Sequence, residues 1–204
     1  MAMDPKQRIS ERAPVRDGRS ERGIRNRAAI LDAVYQLIER DEVMPTAERV
    51  AEVAGVGIRT VFRHFSDMEA LYAEVWTRIY TDVRDIVDAP LPQGSIEART
   101  AKVIERRCEL FERMAPFRRA AMQVKDKSAF LQRQREQVTA ILRMRLMRIF
   151  PELELAPPAL VEALDLVSSF EAWNRLKVDQ RLSSVETRVS LETAFLLLLR
   201  AAIQ

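Results

Sequence analysis

One cysteine, Cys108, and one histidine, His64, stand in 204 residues. A lone cysteine closes no disulfide within the chain, and a single histidine leaves no Cys/His set with metal-ligand spacing. As a general base His64 has no identifiable partner, and neither a Gly-rich phosphate-binding loop nor a nucleophile–base pair accompanies it. An enzyme with a helical core is therefore the disfavoured class, and the expectation for metal and cofactor is none. Long apolar runs are missing too. The longest, 194–199, falls far short of the ~18 residues that span a membrane. The opening Met1-Ala2-Met3-Asp4-Pro5-Lys6-Gln7-Arg8 does not lead into the apolar core of a signal peptide. Reduced cysteine and no membrane segment lead us to expect a cytoplasmic protein.

Charge of one sign is also scarce. The formal net charge is +3, too small to diagnose nucleic acid. Residues 1–80 hold 13 Lys+Arg against 13 Asp+Glu, so any positive face there must come from local arrangement. Residues 99–148 hold 14 against 5, an excess that solvated helix faces explain.

Glycine is sparse, and two of the five, Gly55 and Gly57, fall in a single turn. Before it Thr46 can cap a helix, and Val50, Ala51 and Ala54 recur at helical spacing. After it a second short helix carries Arg59, Thr60, Arg63 and His64 around the apolar pins Ile58, Val61, Phe62 and Phe65. Two short helices about a sharp turn form a helix-turn-helix, whose second helix buries one side and offers a polar, cationic side to the DNA major groove. Arg59 and Arg63 lie four apart on one face, where each either reads guanine O6 and N7 or clamps a phosphate. Thr60 either bonds a phosphate or meets a thymine methyl, and Phe62 is as much a packing residue as a contact.

The run Val50-Ala51-Glu52-Val53-Ala54-Gly55-Val56, then Thr60-Val61-Phe62-Arg63-His64-Phe65, then Asp67 and Glu69-Ala70-Leu71, closely resembles the DNA-binding domain of the tetracycline-repressor (TetR) family of bacterial transcriptional regulators. At motif level the resemblance covers residues 20–80. It implies DNA contacts from Thr46, Arg59, Thr60, Phe62, Arg63 and His64, with His64 donating to a phosphate. There are two departures. Met68 stands where the family usually has a phosphate-binding Lys, and Phe62 where it usually has a Tyr with the same task, so Arg59 and Arg63 are expected to compensate.

Around this block the chain reads as helix throughout. Residues 1–19 form a basic arm that Pro5, Pro14 and Gly18 keep irregular, either a DNA-backbone arm or an inert tail, and expected to be disordered. A first amphipathic helix follows over 20–40, with Ile24, Ala28, Leu31, Val34, Tyr35 and Ile38 as its stripe. Ser66 and Glu69 have capping-box spacing ahead of a helix running 67–87. Beyond the Pro-rich 88–94 segment, helices are expected at 95–114, 115–123, 126–150, 157–178 and 184–203, the last opened by a second capping box, Ser183 with Glu186. The expected fold is all-α, a nine-helix, two-domain TetR-like arrangement. A helix-turn-helix DNA-binding domain occupies 20–66, and a helical ligand-binding and dimerisation domain 67–204.

The last two helices carry more apolar surface than one core-facing stripe needs. A homodimer burying Leu160, Leu164, Val167, Leu191, Ala194, Phe195, Leu198 and Ala202 in a four-helix bundle would cover it, as the resemblance also implies. Two recognition helices in a dimer select a palindromic operator in double-stranded DNA. Trp76, Tyr80, Cys108, Phe111, Met114, Phe117, Met122, Phe130, Phe170 and Trp173 can line a cavity in the second domain or simply fill its core. The resemblance implies that such a cavity receives a small-molecule effector, here a largely apolar one. The functional expectation is a ligand-released repressor, the alternative a constitutive DNA-binding regulator without an inducer.

Overall fold

The computed structural model describes residues 18–40, 42, 45–123 and 128–204. The expected arm lies outside them except for Gly18 and Arg19, which already begin the first helix, α1 (Gly18–Glu39). Its core side is Ile30, Ala33, Val34, Leu37 and Ile38, at spacings of three and four, whereas Ile24 is exposed. Helix α2 (Ala47–Ala54) opens on Thr46, whose hydroxyl accepts from the Arg49 N–H at 3.3 Å. It closes at Gly55, where φ is 65° and the amide reaches back to the Ala51 and Glu52 carbonyls. That left-handed backbone is where glycine is needed. Gly57, at φ −72°, is ordinary extended chain leading into α3 (Ile58–His64).

Helix α4 (Met68–Asp82) starts one residue later than its Ser66 capping box implies. The Asp67 carboxylate accepts from the Ala70 N–H at 2.8 Å, and Ser66 merely donates to Asp67 at 3.1 Å. An ionised acceptor suits a helix N-terminus better than a hydroxyl does. Nor does α4 run to residue 87. The backbone breaks at Val83 (φ −112°, ψ 5°) and resumes as α5 (Arg84–Val87). Val83 and Ile86 are both buried, so the apolar stripe is continuous where the helix is not.

Helix α6 (Ile96–Gln123) is one helix rather than the expected two, with Pro116 inside it. Proline cannot donate to the Glu112 carbonyl. Met114, Ala115, Phe117 and Ala120 are all buried around it, and their packing carries the helix across the lost bond. Helix α7 (Ala129–Ile149) is capped by Ser128, which accepts from the Leu131 N–H and donates to Glu69 at the start of α4, at 3.1 Å.

A 3₁₀ turn (Pro151–Leu155) precedes α8 (Pro158–Val167). The single helix expected over 157–178 is instead α8, α9 (Phe170–Asn174) and a π turn (Arg175–Asp179). Ser168 ends α8 by bonding back to the Leu164 carbonyl at 2.7 Å, and Ser169 caps α9 through the Ala172 N–H at 3.2 Å. The break also serves Arg107 of α6. Buried, and with its pKa pulled down to about 10 by that burial, it donates to the Ser168 carbonyl at 2.6 Å and hydroxyl at 2.8 Å, and to the Leu142 carbonyl at 3.0 Å. The last helix, α10 (Ser184–Ala202), opens on the expected capping box of Ser183 and Glu186.

The described residues thus form ten α-helices and no strand, one more helix than expected, within a two-domain all-α fold. Helices α1 to α4 pack together, α6 touches α1, α5, α9 and α10, and α8 lies on α10. The two halves meet where the Tyr35 ring of α1 sits 4.5 Å from that of Phe117 on α6. None of the helices is long and apolar enough to cross a membrane.

Candidate nucleic-acid interface and effector cavity

Helix α3 is seated by Val61 and by Phe65 just after it, both buried. Ile58 and Phe62, expected as further pins, instead face outward, 37% and 48% exposed, beside the exposed Arg59 and Arg63. The outer face therefore alternates apolar and cationic groups, able to meet thymine methyls and guanine edges respectively. Thr60 is half-buried, and Thr46 is exposed at the start of α2.

Neutral overall charge does not blunt this face, because the carboxylates nearby are taken. Arg27 pairs with Glu74, Arg49 with Glu42 and Glu52, and Arg78 with Asp32. Arg59 and Arg63 form no ion pair among the described residues, so their charge is available. Arg27 also donates to the His64 carbonyl at 3.0 Å and lies over the Phe65 ring, 4.6 Å from its centroid. It clamps the end of α3 to both α1 and α4. Its partners lie 37 and 47 residues away, so nothing in the local sequence marks it. The Tyr72 hydroxyl donates to the Pro45 carbonyl at 3.2 Å and holds the entry to α2 in the same way.

His64 is the residue expected to donate to a phosphate. The ring is half-buried beside Gly23 of α1, and its Nε2 is enclosed without a partner. Burial, then Arg63 and Arg27, hold its pKa below the usual 6.5. Since the unfolded chain takes up the proton that the folded ring resists, stability should fall as pH drops through ~6.5. A melting temperature that decreases between about pH 7.5 and about pH 5.5, and flattens in His64→Gln, is the expected result. An unchanged slope in that variant would place the titration elsewhere.

The expected effector-lining residues do not converge. Only Trp76 and Met122 line a cavity of about 230 Å³ between α4, α6 and α7, with Arg118, Ala121, Leu131, Gln132, Arg135 and Glu136. Phe111, Met114 and Phe170 border a cleft of only about 60 Å³ beside Arg107 and Arg118. Phe111, Phe170 and Trp173 are mutually packed, with ring centroids 5.5–6.0 Å apart, and so fill the core. Phe117 is spent on Tyr35, Tyr80 faces outward, and Phe130 lies half-buried away from the cavity. Cys108 is buried, its thiol pushed up to about 11 by that burial and held protonated. The arginines and Gln132 carry no signal in the sequence, because polar residues on amphipathic helices look like solvent faces.

The expected dimer residues divide. Leu164, Leu191, Phe195 and Ala202 are buried inside the chain's own core, so they are not available to a second copy. Leu160, Val167, Ala194 and Leu198 are half-buried. The apolar residues left outward on the same helices are Leu166 (66% exposed) on α8 and Val185, Val189 and Leu197 (63%) on α10.

Residues 30–75, spanning part of α1 through the middle of α4, match the family model described as bacterial regulatory proteins, tetR family. That match takes in the helix-turn-helix and under a quarter of the chain. The chain's fold is that of solved regulators at low sequence identity. A transcriptional regulator from Rhodococcus sp. Rha1 superposes with a TM-score of 0.67 at 17% identity, over 89% of this chain and 98% of that one. A tetR-family transcriptional regulator from Streptomyces coelicolor gives 0.65 at 23% identity, over 90% and 82%. No curated protein matches the sequence. The matched segment, helix-turn-helix included, is similar to the DNA-binding part of bacterial transcriptional regulators.

Proposed function

We propose that this regulator is a repressor acting as a homodimer on a palindromic operator and released when a small molecule occupies its second domain. The DNA-binding domain is taken as 20–66 and the effector and dimerisation domain as 67–204, working in the cytoplasm where the DNA is. The observation that carries the reading is the placement of Trp76. It lines the cavity of about 230 Å³, and it lies on α4, the helix that follows directly from recognition helix α3 and is clamped to it by Arg27. A molecule that displaces Trp76 must move α4, and α4 moves the end of α3. In a two-fold dimer the recognition helices must stand about one DNA turn, ~34–36 Å, or a multiple of it apart, so a small tilt defeats simultaneous docking.

Arg59 and Arg63 supply the test. Arg63→Ala should weaken operator binding by about 1–3 kcal/mol and relax preference at one position of each half-site if it reads a base. Equal loss on all sequences would make it a phosphate contact, with log affinity falling by about 0.9 per log unit of salt for each phosphate neutralised. Operator binding unchanged by both Arg59→Ala and Arg63→Ala would remove α3 as the recognition helix. An operator affinity that no small molecule alters would favour the constitutive alternative.

A further inference from the structure

The cavity beside Trp76 is less apolar than an inducer pocket for a hydrophobic compound should be. Arg118 projects into it from α6 with its side chain only 8% exposed. Its one carboxylate neighbour, Glu171, is 3.5 Å away, well beyond the ~2.7–2.9 Å of a charge-assisted bond, and is itself 42% exposed. The Phe170 ring covers one face of the guanidinium, 5.0 Å from the ring centroid. Of its five N–H donors, one has a long bond and the others have no partner among the described residues. Donors left unmatched by protein at the cavity wall are open to an acceptor that enters the cavity.

Arg135 of α7 lines the same space and forms no ion pair among the described residues. Burial holds the Arg118 pKa down, Glu171 partly opposes this, and the positive charge of Arg135 adds to the lowering. The only carboxylate in the lining among the described residues, Glu136, is exposed and accepts from Gln132 at 3.3 Å instead of pairing with either guanidinium. Among the described residues, then, the cavity wall, half-open to solvent through the exposed Arg135, carries two cations and one diverted anion. The rest of the wall is apolar, with Trp76, Met122 and Leu131 offering an aromatic face and flexible packing. A bare inorganic anion would leave that wall unused, and a cation would meet two like charges.

We propose that this cavity binds a small organic acid, its carboxylate held between Arg118 and Arg135 and its aromatic or short aliphatic body against Trp76, Met122 and Leu131. At about 230 Å³ the space lies below the ~300–1,000 Å³ of drug-sized sites, so the acid is small. This deepens the proposed repressor role and rests on it only for the consequence of binding. Neutralising two facing guanidinia draws α6 and α7 together around Trp76, and the displacement passes along α4 to α3.

Calorimetric titration of the full chain with benzoate, 1-naphthoate and hexanoate, beside the matching uncharged amides and sodium phosphate, tests the chemistry. At least one acid should bind roughly tenfold or more tightly than its amide and than phosphate. Arg118→Gln and Arg135→Gln should each weaken that acid by roughly tenfold or more and leave amide binding unchanged. If Arg118→Gln does not fold, as circular dichroism would reveal, Arg135→Gln carries the comparison. Amides binding as well as acids, phosphate binding as well as either, or no binding across the panel would each overturn the proposal. So would an acid whose affinity ignores Arg135→Gln. Operator titrations run in parallel separate the two readings. An acid that binds through the arginines without changing operator affinity upholds the site and overturns release by ligand. An amide that releases the operator upholds release and overturns the anion site.

Discussion

Truncating Phe195 to Ala is expected to cost about 3–5 kcal/mol of fold stability, while Leu197→Ala, two positions along the same helix, should cost close to nothing. Phe195 has no exposed surface, and its ring centroid lies 5.5 Å from that of Phe150, with Leu164 and Leu199 also fully enclosed. Removing the ring leaves a void that such a core closes only in part, so the loss adds a cavity penalty to the transfer term. Against a total stability of about 5–15 kcal/mol this is a large share, and it should move the urea midpoint sharply downward. Leu197 loses little on truncation because it is 63% exposed within the chain. Comparable shifts for the two variants would mean that the inner and outer faces of α10 have been assigned wrongly. At low protein concentration the comparison is cleanest, since any association would stabilise the chain through Leu197 as well.

That pair of residues also shows what the sequence could disclose. The run 194–199 announces excess apolar surface, but composition alone does not say which residues point inward. Every third or fourth residue, Thr187, Leu191, Phe195, Leu199 and Ala202, is buried, and the residues between them fall outside or at the margin. The helix-turn-helix was legible because its determinants are local: a capping Thr46, a left-handed Gly55 and a short helix carrying exposed cations, although only Val61 and Phe65 of its four expected pins turn inward. Capping at Ser183 was local too. Periodicity overran the breaks at Val83 and Ser168 because the apolar stripe continues through both. It placed a break at Pro116 where buried neighbours on both sides bridge the lost hydrogen bond. The cavity was the least legible feature. Its distinguishing groups, Arg118 and Arg135, belong to helices whose many charges suggested solvent, and only the three-dimensional arrangement brings the buried Arg118 and the exposed Arg135 to one cavity. Aromatic content pointed instead to Phe111, Phe170 and Trp173, which spend their surface on one another.

Leu197→Glu should leave the chain folded and still reduce operator affinity by about 10²–10⁴-fold, although the substituted residue lies on the last helix rather than on the recognition helix. Exposure leads to assembly, and assembly to DNA. Leu166, Val185, Val189 and Leu197 are each more than half exposed on the α8 and α10 pair, an apolar surface that water disfavours and a second copy can cover about a two-fold axis. Within the proposed dimer the substitution would bring two carboxylates, one from each copy, into that contact without partners, at a cost of several kcal/mol. A monomer then presents one short recognition helix, and binding of the second half-site is no longer intramolecular. The loss is therefore one of effective concentration, with Arg59 and Arg63 untouched and the half-site contact itself preserved. Sedimentation equilibrium should show the wild type as a dimer and the variant as a monomer with unchanged helical circular dichroism. Met144→Glu, at a residue 53% exposed but on α7, should alter neither assembly nor operator binding. A wild-type chain that is monomeric at micromolar concentration, or a Leu197→Glu variant that remains dimeric, would remove this surface as the interface. Operator binding that survived in a demonstrably monomeric variant would sever the proposed link between dimerisation and DNA recognition.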